Sequence, residues 1–183
     1  MNIRNKLGRA VGITAAAVVI GGVGMSGVAS AAPVVNRVNG PVHGCVFQTV
    51  NGHYLTAVGG GGRITDVIHT DATRIGSWEK FTLIDSGSGT SVIQYGLQTT
   101  NGHFLTAVGG GGRITDVIHS DATHLQAWEK FTLNSRGSGV YDIQTVNGHY
   151  LTAVGGGGRT TDTIHSDATG VGAWEKFTVS CGH

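Results

Sequence analysis

One block of this chain occurs three times. Asn51-Gly-His-Tyr-Leu-Thr-Ala-Val-Gly-Gly-Gly-Gly-Arg63 returns from Asn101 to Arg113 and again from Asn147 to Arg159. Each copy closes on Trp-Glu-Lys-Phe-Thr, beginning at Trp78, Trp128 and Trp174. A unit of this length cannot bury an apolar face alone, so the copies must share a core, and any surface site exists in triplicate.

The residues before the repeats read differently. Arg4, Lys6 and Arg9 form a basic start, Val11 to Val28 is apolar and uncharged, and small residues (Ala29-Ser30-Ala31-Ala32) precede Pro33. This is the layout of a secretory signal peptide over 1–32, with residues 33–44 as a lead-in and 45–183 as the folded body. The expected location is secreted, extracellular. Three of the twelve Lys+Arg lie in that leader and none of the eleven Asp+Glu, leaving 9 basic against 11 acidic residues, a formal charge of −2. Phosphate neutralisation needs clustered cations, so nucleic acid is a poor partner and so is an anionic membrane surface.

Cys45 stands just before the first copy and Cys181 just after the last. An even cysteine count in an exported chain reads as a disulfide. Here the bond would tie together the two ends of the repeated body, which therefore have to meet.

Within a copy, Val46 to Val50 reads as a strand and Asn51-Gly52 as a hairpin turn. His53 to Val58 is the return strand, Gly59 to Gly62 a loose connection, Arg63 to Asp71 a third strand and Trp78 to Leu83 a fourth. Strict alternation in that fourth strand sets Trp78 and Phe81 on opposite faces, which points to a bulge or to a strand that starts after the tryptophan. Four strands per copy (repeats about 46–86, 92–136 and 140–181) give twelve strands. The expected fold is all-β, a β-trefoil with pseudo-three-fold symmetry: six strands in a short barrel, capped by three hairpins. A small propeller is the competing arrangement, but its blades come in fours or more.

The motif Asn-Gly-His-Tyr-Leu-Thr-Ala, a Gly-rich turn and Trp-Glu-Lys-Phe-Thr resembles the fascin-like branch of the β-trefoil superfamily, whose repeats read Gly-x-Tyr-Leu-x-Ala followed by Trp-Glu-x-Phe. The resemblance covers residues 46–180 and fits the bacterial secreted members. It implies that Trp78/Phe81, Trp128/Phe131, Trp174/Phe177 and Leu55, Leu105 and Leu151 are core residues. Bacterial members are secreted, often as modules beside polysaccharide-degrading enzymes, and are taken to bind glycans; animal members bundle actin. The ricin-type lectin branch carries Gln-x-Trp where this chain has Gly76-Ser77-Trp78, so its sugar positions do not transfer.

Among candidate functional residues, the tryptophans read as core packing rather than sugar-stacking faces. Tyr54, Phe104 and Tyr150 are the better stacking candidates if they face outward. Arg63, His69 and Asp71 recur as Arg113, His119, Asp121 and as Arg159, His165, Asp167. On the third strand Ile68 is expected inward, with Val67, His69 and Asp71 outward. Carboxylate, imidazole and guanidinium together can bracket vicinal sugar hydroxyls. Two plainer readings stand beside this: Asp71-Ala72-Thr73 as a turn, and duplication that copied every residue. Symmetry can also gather His53, His103 and His149, or His69, His119 and His165, as three imidazoles for zinc. No metal or cofactor is assigned on that basis.

There is no Gly-x-Ser-x-Gly elbow, no His-Glu-x-x-His pair and no P-loop. Asp66 and Asp71 could serve as paired carboxylates of a glycosidase, but an enzyme is the least favoured class. The reading is a carbohydrate-binding, lectin-like module with up to three equivalent shallow sites for an extracellular glycan or polysaccharide. The alternative is a protein–protein interaction module (adaptor, inhibitor or actin-binding-like) with a secreted protein partner.

Overall fold

The computed structural model describes residues 40–86 and 93–183, so the expected leader, residues 33–39 and most of the first Gly-rich spacer lie outside the described residues. Six antiparallel strands form a ring: β1 (Val42–Gln48), β4 (Phe81–Asp85), β5 (Gln94–Gln98), β8 (Lys130–Gly137), β9 (Val140–Gln144) and β12 (Lys176–Ser180). Each pairs with the next, and β12 returns to β1 through Val46 opposite Ser180 and Gln48 opposite Thr178, which closes the barrel. Closure leaves the barrel without a free edge. Three hairpins stand on it: β2 (Tyr54–Ala57) with β3 (Ile68–Ala72), β6 (Phe104–Ala107) with β7 (Ile118–Ala122), and β10 (Tyr150–Ala153) with β11 (Ile164–Ala168). This is the twelve-stranded β-trefoil expected from the repeats.

One core serves all three copies. Phe47, Phe81, Phe131 and Phe177 are fully buried, with Leu83, Leu97 and Ile143 between them. Phe47 and Phe81 meet edge to face, their centroids 5.7 Å apart, a geometry that aromatic quadrupoles favour.

The tetraglycine is the main departure from expectation. It is an ordered turn that locks neighbouring copies together. Gly59, Gly60, Gly61 and Gly62 all have positive φ, and the same holds in the other two copies. The Gly62 amide donates to the Ser120 carbonyl and the Ser120 amide to the Arg63 carbonyl, at 2.7 and 2.8 Å. Copy two grips Ser166 of copy three in the same way, and copy three grips Thr70 of copy one. The Asn101 side chain adds a bond to the Gly59 carbonyl, and Asn147 and Asn51 do likewise at the other seams. The interlock is circular. Absence of side chains is what lets the backbones approach: a Cβ on Gly61 would lie 2.3 Å from Thr99 Oγ1.

Several strand limits differ from the sequence reading. β1 begins at Val42, so the end of the expected lead-in belongs to the barrel. The third strand starts at Ile68, because residues 63–67 form a turn with Asp66 at φ 50°. That turn re-aims Val67, which is buried where an outward position was expected. The fourth strand starts at Phe81, after the tryptophan, as the alternation conflict suggested. Cys45 and Cys181 are joined, and the Gly182 and His183 amides donate to the carbonyls of His43 and Gly44. The two ends of the body therefore meet.

Candidate functional site

Trp78, Trp128 and Trp174 are not core residues. They are 48%, 49% and 49% exposed, while Phe81, Phe131 and Phe177 three residues on are buried. The cause lies in the glutamate between them. Glu79 is only 7% exposed. Its Oε1 accepts the Thr56 hydroxyl at 2.8 Å and its Oε2 the Gly76 amide at 2.6 Å. Glu129 and Glu175 bind Thr106 and Thr152, and the amides of Gln126 and Gly172, in the same way. A carboxylate taken out of water needs such donors. Anchored by it, the turn drives Phe81 into the barrel and leaves the indole outside.

Each tryptophan sits on the turn that leads into the fourth strand of its copy, and the Trp78 turn also touches the next copy. The Ala57 amide donates to the Trp78 carbonyl at 2.9 Å, fixing the turn against β2. The Thr100 hydroxyl, from the hairpin tip of copy two, donates to the Ser77 carbonyl. The residues equivalent to Thr100 are Val146 and Val50, both exposed. A shallow depression of about 190 Å³ lies beside Trp128, lined by Gln126, Ala127 and Glu129. The result is one half-exposed aromatic face in each copy.

The polar set expected from the sequence is arranged differently. Arg63 and His69 are brought together, but by Asp66 rather than Asp71. Arg63 reaches Asp66 Oδ2 at 3.3 Å and also donates from Nε to the Thr65 carbonyl; His69 Nε2 lies 2.7 Å from Asp66 Oδ1. Arg113–Asp116–His119 and Arg159–Asp162–His165 repeat this. These groups brace their own turn, which holds a non-glycine residue in the left-handed region. Exposed ion pairs of this kind contribute at most about 1 kcal/mol each. Asp71, Asp121 and Asp167 are exposed near the far ends of their strands.

The last amide of β2 and the one that follows it point to opposite sides. Val58 donates to Val67 on one flank and Ala57 to Trp78 on the other. The Trp turn and β3 thus lie on opposite flanks of the β2 backbone at this point.

Of the expected stacking residues, Tyr54 and Tyr150 are half-buried and Phe104 is buried. Phe104 lies inward because Gly96 leaves room for it: a Cβ there would sit 3.0 Å from the ring. The two histidine triads do not gather. His69, His119 and His165 each face their own repeat's aspartate, and His53, His103 and His149 pack over Gly158, Gly62 and Gly112 of neighbouring copies. No group of three or more His, Cys, Asp or Glu among the described residues is placed to hold a metal ion.

The chain matches no protein-family model and no curated protein. Its fold is similar to solved β-trefoils. The Rhizoctonia solani agglutinin aligns with a TM-score of 0.62 at 15% identity, covering 82% of this chain and all of that one. The designed three-fold symmetric protein ThreeFoil aligns with a TM-score of 0.61 at 13% identity, covering 75% of this chain and 96% of that one. SeviL, solved bound to the asialo-GM1 saccharide, aligns with a TM-score of 0.56 at 15% identity, covering 78% of this chain and 99% of that one. The chain is a β-trefoil protein. At these identities the likeness carries the fold and not the function.

Proposed function

We propose that the protein is a carbohydrate-binding module of the fascin-like bacterial secreted type, with one shallow aromatic site in each of its three copies. The observation that carries this reading is the half-exposure of Trp78, Trp128 and Trp174 on identical glutamate-anchored turns. A large aromatic face held rigidly at the surface suits the apolar face of a pyranose ring. A buried anchor makes the platform preformed, so little ordering cost opposes binding. Single sites of this kind are weak, and three on one body gain by avidity on a repetitive polymer. Lectin-type fold neighbours support the reading, and SeviL is one solved with its saccharide. The leader-like segment at 1–32 and the cystine fit an extracellular location.

The test is co-sedimentation with insoluble cellulose, chitin and xylan, together with a glycan array. The native protein binds at least one of them. Trp78→Ala/Trp128→Ala/Trp174→Ala abolishes that binding, and each single variant weakens it by less than the triple. Asp71→Ala/Asp121→Ala/Asp167→Ala places the site along the hairpin ends instead if it alone removes binding. Silence of the native protein on every glycan, with a protein partner recovered through the same tryptophans, would give the function to protein interaction.

A further inference from the structure

The three turns at residues 64–67, 114–117 and 160–163 converge around the pseudo-three-fold axis and enclose a pocket of about 650 Å³. Each supplies its share of the wall together with the first residue of the following strand, Ile68, Ile118 or Ile164. This lies well inside the range of small-molecule sites, about 300–1,000 Å³. Its walls are held from outside. The seam bonds between Gly62 and Ser120, Gly112 and Ser166, and Gly158 and Thr70 fix the base of each turn. The bonds from Arg63 and His69 to Asp66, repeated in each copy, fix its tip.

The lining mixes Ile and Val with Thr and Asp. Ile64 and Ile114 stand at the pocket with more than half their surface exposed, and Val67 and Val117 lie deeper and buried. Asp66, Asp116 and Asp162 also line it, but both oxygens of each are engaged by an arginine and a histidine of the same copy. Each carboxylate is balanced by a guanidinium, and no Lys or Arg lines the pocket. A charged ligand would lose its hydration and gain no unpaired counter-charge.

The symmetry breaks in one place. Copy three has Thr160 where the others have Ile64 and Ile114, and Thr163 where they have Val67 and Val117. The Thr163 hydroxyl donates to the Ile68 carbonyl at 2.7 Å, which leaves its lone pairs to accept. Every wall carries one threonine and one aspartate, and the wall of copy three adds two hydroxyls where the others present isoleucine and valine. A strictly symmetric pocket would offer three equivalent orientations; this one favours a single orientation.

We infer that the axial pocket is a fourth binding site, taking one neutral small molecule with an apolar body and a single hydrogen-bonding end directed at Thr160 and Thr163. It is independent of the tryptophan turns and of the glycan reading. The test is fluorescence titration of the full chain with N-phenyl-1-naphthylamine, a neutral aromatic amine. Emission rises and saturates at one probe per chain. Ile64→Gln/Ile114→Gln, at two exposed positions, weakens binding at least tenfold, and Thr160→Trp, which fills the pocket, removes it. Trp78→Ala/Trp128→Ala/Trp174→Ala leaves the affinity within twofold of the native value, which separates this site from the tryptophan turns. The inference is overturned by absence of saturation, by three probes per chain, or by indifference to both pocket variants. Light scattering that shows a dimer at the titration concentrations, with half a probe per chain, would also overturn it by giving the axial face to a second copy.

Discussion

Replacing Gly61 by alanine probes the circular interlock most directly. Gly61 sits at φ 100° and ψ −177°, a region open in practice only to glycine. Forcing an alanine there costs about 1–3 kcal/mol of backbone strain. Its Cβ would also lie 2.3 Å from Thr99 Oγ1 and 2.8 Å from Thr99 Cβ. Thr99 is buried in the adjoining hairpin and has nowhere to retreat, so overpacking adds about 1–3 kcal/mol. The expected loss is about 2–6 kcal/mol, a fall in Tm of about 4–24 °C for a domain of this size. Gly59 is the internal control. It lies at φ 67° and ψ 10°, and a Cβ there meets nothing closer than 3.8 Å. Gly59→Ala should cost only the left-handed penalty, about 1–2 kcal/mol. Urea unfolding of both variants, with and without Thr99→Ala, separates the two contributions. Thr99→Ala is expected to destabilise the native protein but to recover about 1–3 kcal/mol in the Gly61→Ala background. Equal losses for Gly59→Ala and Gly61→Ala, or no coupling to Thr99, would refute the claim that the tetraglycine is a packed joint.

Two further perturbations test the closed ring and the tryptophan turn. Cys45→Ser/Cys181→Ser removes a crosslink that encloses 136 residues and should cost about 2–5 kcal/mol, read as the Tm difference between the native protein and the variant. Glu129→Ala leaves the Gln126 amide and the Thr106 hydroxyl without an acceptor and should cost about 2–4 kcal/mol, whereas Glu129→Gln, which keeps one carbonyl oxygen, should cost about 1 kcal/mol by the same unfolding assay.

Periodicity made the architecture readable because three copies of one unit admit few closed arrangements. Cys45 and Cys181 named the point of closure. The strand that begins after Trp78 was visible as a conflict of alternation. The proposed binding surface was harder to read. A tryptophan beside a phenylalanine in a small barrel reads as core, and what decides otherwise is Glu79, whose acceptors are met by Thr56, 23 residues earlier, and by the Gly76 amide. Spacing in the chain gives no sign of that long-range bond. The tetraglycine misled for a related reason: glycine reports conformational freedom, but not the presence of a Thr99 close enough to require it. The aspartate that joins Arg63 and His69 was also legible in kind and mistaken in position, since Asp66 leaves the strand pattern through a left-handed turn.

Internal repetition also weighs against duplication as a sufficient account of the tryptophans. The four residues before each one have diverged: Arg74-Ile75-Gly76-Ser77, His124-Leu125-Gln126-Ala127 and Gly170-Val171-Gly172-Ala173. The five that follow, from the tryptophan onward, have not. Phe81 is held by the core, Glu79 by its two donors, and the glycines by the seam. Packing accounts for those identities. It does not account for an indole that leaves half its surface in water at three places, where a smaller or polar residue would complete the same turn. What remains after the structural demands are subtracted includes this exposed aromatic set beside the exposed Asp71, Asp121 and Asp167, and a demand on the outward face of the indoles is the physical reason for proposing them as sites.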